Sequence, residues 1–312
     1  MLANVLLPIC LIALLGYWAV RSGFIASGHI QPLSQFVMKV SLPAFLVQAL
    51  ASKNLAEIWH PAYFIGYGGG SLLMFVLTYL LYRKFFIQSM THASVLAMGA
   101  SMSNTGFIGT AILTLLLGSH SAVYLSLTLI IENLLILTLM LLLAERGQHL
   151  SLPQQGAVFK ILLKRLLQNP VILAILIGLG CVLLQLKLPS AVVQALEMLG
   201  KTASPLALFV IGGSLAGMKL NAINLQSMAL AALKVVLMPL MIFSLLRLLN
   251  ASSEMLFVGT LLAALPMPVA FGIFAQHYGL GEKALAPLVL STIMGFIAVA
   301  VLLSQSARFI PL

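Results

Sequence analysis

The sequence predicts an all-α membrane protein of about ten spans, built as two inverted halves of five. Three observations predict it. Of 312 residues, 62% are hydrophobic and only 7% are charged, whereas a soluble domain carries roughly a quarter charged residues. The apolar residues fall into ten long runs separated by short polar stretches. Structure-punctuating residues recur between the two halves at a fixed offset of 162 positions.

The runs lie at about 2–20, 35–51, 61–82, 92–117, 122–144, 168–186, 200–218, 227–249, 255–278 and 286–307. Crossing the hydrocarbon core takes roughly 20 apolar residues. Backbone polar groups in lipid must be satisfied within the segment, so the spans are helices. Their apolar character is continuous, unlike the alternation of a barrel strand. The first run, MLANVLLPICLIALLGYWAV, has no basic residue before it and Arg21 after it. A cleaved leader has the opposite polarity, so this run is read as a retained first span.

Cations give the orientation. With the N-terminus outside, nine fall in inner loops: Arg21, Arg83, Lys84, Arg146, Lys160, Lys164, Arg165, Lys219 and Lys283. Five fall outside: Lys53, Lys187, Lys201, Arg247 and Arg308. That bias puts both termini outside the inner (cytoplasmic) membrane. The longest polar stretch, 145–167, is then a cytoplasmic linker between a first repeat, 1–144, and a second, 168–312. The net charge of +10 is scattered singly between apolar runs, which excludes a nucleic-acid stripe. Cys10 and Cys181 sit inside apolar runs and have no metal or disulfide spacing.

The 162-residue offset superposes Pro8 on Pro170, Gly16 on Gly178, Lys39 on Lys201, Pro43 on Pro205 and Ser52 on Ser214. Each half therefore carries a Lys-x-x-x-Pro pattern at the start of its second span. Five spans per half is an odd number, so the second half enters from the opposite side. Inverted repeats of this kind recur among secondary transporters.

The same offset places Asn104 on Pro266 and Gly106 on Pro268. The local sequences are SMSNTGFIGTA, containing Ser103, Asn104, Thr105, Gly106 and Gly109, and LPMPVAFGIFA, containing Pro266 and Pro268. Both interrupt long apolar runs near mid-depth. Proline lacks a backbone donor and disfavours helix in the residue before it. Two interrupted helices at equivalent positions are predicted, and they make these seven residues candidates for substrate binding. Exposed backbone at membrane depth is tolerated only where it lines a cavity or is buried in protein. Half-helix N-termini offer N–H groups and partial positive charge to an anion.

Two charges lie deep in the spans: Glu132, beside Asn133 in the fifth, and Lys234 in the eighth. Intramembrane charge usually faces the protein interior and is functional. Glu132, Asn133 and Lys234 are candidates for a coupling or structural role, and the two charges are expected to interact. Lys39 and Lys201, nearer span ends, read as snorkelling residues. His277 follows the second interruption and reads as a solvated or capping group. The chain has no Asp and only six acids, all Glu. An intramembrane enzyme would need paired acids, a nucleophile–base pair or a metal set, and no such set appears. No GxxxxGK[ST] loop is present either. A non-enzyme with no cofactor and no metal is expected.

LLPICLIALLGY, VSLPAFLVQAL, SNTGFIG, LKVVLMP and LPMPVAFGIFAQHYG, in this order and spacing, resemble the auxin efflux carrier family, whose bacterial members include malonate and malate permease-type proteins. The resemblance covers essentially the whole chain. It implies a sodium/proton antiporter-like fold of ten helices, with broken, crossing helices 4 and 9. It also implies alternating-access transport of small carboxylates. Asn104, Gly106 and Gly109 match the family's fourth-helix motif, and Pro266 matches its ninth-helix proline. Two departures are visible. Ala111 stands where many relatives have proline, and residues 268–271 are apolar where many have asparagine. The expected partners are a small organic anion and the lipid bilayer. Proton coupling and a homodimer are left open. A bile-acid-type sodium symporter and a non-transporting sensor on the same fold are the alternatives.

Overall fold

The computed structural model describes residues 2–51, 60–148, 168, 170–216 and 223–305. Among them every regular element is helical and none is a strand. The elements are α1 (Leu2–Arg21), α2 (Ser27–Ala51), α3 (Pro61–Lys84), α4 (Met90–Ser101), α5 (105–117) and α6 (121–148). They continue with α7 (Pro170–Leu183), α8 (190–216), α9 (Leu225–Leu248), α10 (Ser253–Ala264), α11 (Val269–His277) and α12 (Gly281–Ser304). Of the predicted linker, 145–148 continue α6, and 149–167 lie outside the described residues.

Six helical stretches among the described residues are long and apolar enough to cross a membrane. One of them, Met90–Ala144, has 55 residues, which as a straight helix would run about 80 Å. Gly118 turns it back on itself with a φ of 56°, in the region that glycine adopts without steric cost. The returning α6 then packs on α4. That contact is close: a Cβ at Gly147 would lie 2.5 Å from Thr91 Oγ1, and the same hydroxyl donates to the Ala144 carbonyl at 3.0 Å.

The helices form two compact units, each drawing on both halves of the chain. The first comprises residues 1–60, 105–129 and 165–218, and the second residues 61–104, 130–164 and 219–312. In the first unit α1 packs on α8 and α7 packs on α2, so the halves exchange partners. Small residues permit it, as membrane helix contacts generally require. A Cβ at Gly16 would meet the Phe209 carbonyl oxygen at 2.2 Å, and one at Gly178 would meet Leu50 Cβ at 2.8 Å. Gly16 and Gly178 are the glycines that the 162-residue offset superposes.

In the second unit α3 packs on α4 and α9 packs on α10. Gly66 and Gly70 on α3 receive Leu246 and Ile242 of α9 respectively, and Gly68 faces Ile131. The glycine run of α3 thus admits its neighbours on more than one side.

Candidate functional site

Both predicted interruptions exist, and they arise differently. α4 ends where Met102 turns extended, at φ −118° and ψ 153°, in a stretch of Ser, Met, Ser and Asn with no proline. Residues 102–104 are non-helical, and a π-helical segment, Thr105–Gly109, opens α5. α10 ends at Leu265, also extended, at φ −60° and ψ 154°. That is the conformation a following proline imposes. Residues 266–268 are non-helical, and α11 begins at Val269. The two interruptions are joined directly: the Asn104 N–H donates to the Pro266 carbonyl at 2.9 Å.

The charges deep in the spans serve this junction. The Ser103 N–H, orphaned by the first interruption, donates to Glu132 Oε1 at 2.8 Å. The Tyr67 hydroxyl donates to the same oxygen at 3.4 Å and lies 3.4 Å from Ser103 Oγ. Lys234 Nζ donates to Ser103 Oγ at 2.7 Å and to the Ala263 carbonyl at 2.7 Å, with Met238 Sδ at 3.0 Å. An interrupted helix leaves N–H groups bare after the gap and carbonyls bare before it. Here a carboxylate takes the N–H and an ammonium takes the last-turn carbonyl, the signs that the helix dipole favours at each end. Lys234 is 0% exposed and Glu132 2%, so both charges are compensated inside the protein, as burial at membrane depth demands.

Glu132 and Lys234 both reach Ser103, the first at its backbone nitrogen and the second at its hydroxyl. Each sits in a π-helical segment, Ile131–Ile136 and Leu233–Leu237. Such bulges are frequent at functional sites because they re-aim one side chain out of the helical register. No residue pattern announced either bulge, or the part played by Tyr67. Asn133 is half-buried, and its carbonyl accepts from Thr138 Oγ1 at 3.4 Å.

Asn104 stands apart from its neighbours. Its side chain is 6% exposed, and among the described residues nothing hydrogen-bonds its amide group. Pro266 and Pro268 are buried in the second unit with Ser103 and Asn104. Thr105, Gly106 and Gly109, also buried, belong to the first unit, where a Cβ at Gly106 would meet the flexible Met38 Sδ at 3.4 Å. Lys39 and His277 are exposed, and Lys201 pairs with Glu197 at 2.8 Å on the surface. No group of three metal-ligating side chains occurs among the described residues.

A multi-helix membrane chain with two interrupted helices joined end to end, a charge at each gap and an unpaired amide beside them has the build of a membrane transporter. The chain belongs to the family described as membrane transport protein, which matches residues 2–304 and to which the auxin efflux carriers belong. It is 24% identical over 306 residues to a Rhizobium meliloti (strain 1021) protein named "Putative malonate transporter", covering 97% of this chain and 95% of that one. It is 25% identical over 316 residues to "Uncharacterized transporter YfdV" of Escherichia coli (strain K12), covering 98% and 97%.

Proposed function

We propose that this chain is a secondary transporter of small organic anions, carboxylates such as malonate or malate, working by alternating access in the cytoplasmic membrane. The observation that carries this reading is the unpaired Asn104 amide, buried at the junction of the two interruptions. Its N–H₂ group can donate to a carboxylate oxygen, and hydrogen bonds to a charged group contribute about 1.5–3 kcal/mol. The N–H groups of Ser103 and Asn104 already have protein acceptors, and the Met267 N–H donates to Ser291 Oγ at 3.3 Å. An anion would therefore draw on the side chain of Asn104 and on the N-terminal turn of α11, with Pro266 and Pro268 shaping its surroundings.

The proposed architecture is ten spans in two inverted repeats with both ends outside. Support comes from the exchange of partners between halves, α1 on α8 and α7 on α2, and from the equivalent glycines that permit it. Glu132, Tyr67 and Lys234 hold the junction, and a proton on this cluster is the coupling ion we favour.

The test is counterflow of radiolabelled malonate and malate in proteoliposomes, with and without sodium and a pH gradient. Uptake driven by a pH gradient and indifferent to sodium is expected. Asn104→Ala should lower uptake roughly a hundredfold while the protein remains folded. Undiminished uptake in that variant would remove Asn104 from the site, and sodium-driven uptake would favour the symporter alternative.

A further inference from the structure

The second unit holds a cavity lined by none of the residues assigned above. It has a volume of about 500 Å³, within the range of sites for organic ligands of some size and well beyond what a dicarboxylate needs. Its floor is apolar: Leu96, Leu230, Leu280 and Pro287, all buried. Its rim mixes Gln88, Asn224 and Gln226 with the exposed Leu225 and the half-buried Phe86, and Ser227 is buried beneath them. The rim is built. Tyr82 donates its hydroxyl hydrogen to the Gln226 carbonyl, and Gln88 Nε2 donates to Gln226 Oε1 at 3.3 Å. The Asn224 side chain caps α9 by accepting from the Ser227 N–H at 2.9 Å.

One cation is tied to the lining through Gln88. Arg83 and Lys84 close α3, both exposed, and Arg83 Nη1 donates to the Gln88 carbonyl at 3.0 Å. That bond uses one of the five guanidinium donors and fixes the charge beside the opening. The turn after α3 also holds out two large apolar side chains, Phe85 at 68% and Ile87 at 87% exposure. Ile87 does so at a φ of 50°, a region β-branched residues avoid. Cations next to exposed apolar side chains at the end of a 24-residue apolar helix mark the level of the lipid headgroups.

From the juxtaposition of an apolar floor, an amide rim and the Arg83–Lys84 pair, we infer that this cavity is a binding site for one anionic phospholipid. Acyl carbons lie against Leu96, Leu230, Leu280 and Pro287. The phosphate and headgroup lie at Gln88 and Gln226, beside Arg83, with Lys84 the next residue along the chain. A soluble anion would leave the apolar floor unused, and a zwitterionic lipid would leave the cations unneutralised. The inference rests on the membrane-embedded build and not on the proposed substrate.

Full-length protein stripped of native lipid in mild detergent is titrated with phosphatidylglycerol, phosphatidylethanolamine and inorganic phosphate, and bound molecules are counted by native mass spectrometry. One phosphatidylglycerol per chain is expected in preference to the other two. Arg83→Gln and Lys84→Gln, at exposed positions that keep the fold, should each weaken it about fivefold, the effect of one basic residue near an anionic lipid. Gln226→Glu should weaken phosphatidylglycerol by a similar factor and leave phosphatidylethanolamine unchanged. Equal binding of the two lipids, phosphate bound as tightly as phosphatidylglycerol, or an affinity untouched by all three variants would overturn the assignment.

Discussion

The two interruptions occupy equivalent places in the two halves and are built from opposite materials. The first, at 102–104, is polar, and its backbone is held by side chains from α6 and α9: Glu132 on the Ser103 N–H and Lys234 on Ser103 Oγ. The second, at 265–268, is made by two prolines and closed chiefly by packing, with Lys234 on the Ala263 carbonyl before it and Ser291 on the Met267 N–H within it. A Cβ at Gly295 would meet the Pro266 ring at 2.9 Å and its nitrogen at 3.0 Å. Phe271, fully buried, lies where a Cβ at Gly99 would need 2.8 Å. Proline stops a helix by itself and needs no partner to stay stopped. A polar interruption stays open only while something holds its freed donors. One gap is thus a rigid abutment, and the other is a held position whose remaining amide, on Asn104, is unspent.

That contrast can be broken or sharpened by substitution. The largest effect is expected from Lys234→Met, which strips Ser103 Oγ and the Ala263 carbonyl of their ammonium donor and removes the buried positive charge near Glu132. Removing one member of a buried pair costs about 3–5 kcal/mol, and thermal unfolding in detergent should show it. Adding Glu132→Gln should recover part of that loss. A charge swap, Glu132→Lys with Lys234→Glu, should not: the Ser103 N–H would face an ammonium, and the Ala263 carbonyl a carboxylate. Full recovery by the swap would mean that the two charges act on each other rather than on the backbone.

Next comes Asn104→Ala. Its loss of transport, about 2–3 kcal/mol in barrier height, should leave the unfolding temperature near that of the parent, because the amide holds nothing. A marked drop in stability would make Asn104 structural like Ser103. Gly295→Ala should cost about 1–3 kcal/mol of stability by overpacking, since the proline ring and backbone it meets cannot move aside. Smallest is Gly106→Ala, whose Cβ meets the adaptable sulfur of Met38 at 3.4 Å. Less than about 1 kcal/mol is expected there. Equal costs at Gly295 and Gly106 would erase the distinction between a packed gap and a held one.

Much of this was legible in the residues. Proline, glycine and short polar side chains inside an apolar run can only mean trouble for a helix, so both interruptions could be located. Two charges in lipid can only turn inward, so Glu132 and Lys234 could be singled out. What they turn toward could not be read. Ser103 looked like one of several polar residues near Asn104, and its central place depends on backbone direction at a gap, which no residue type encodes. Tyr67 stands within the glycine run of α3, and nothing in that run says which way its hydroxyl points. The π-helical segments that aim Glu132 and Lys234 depend on packing from neighbouring helices, not on local propensity.

Ser103 is gripped at its nitrogen by an acid from one helix and at its oxygen by a base from another. The three positions are thus bound together in inheritance as well as in space. A lineage cannot drift at one of them without stranding the other two. Descendants are expected to keep all three or to abandon them jointly, replacing acid and base by neutral groups in a single episode of change.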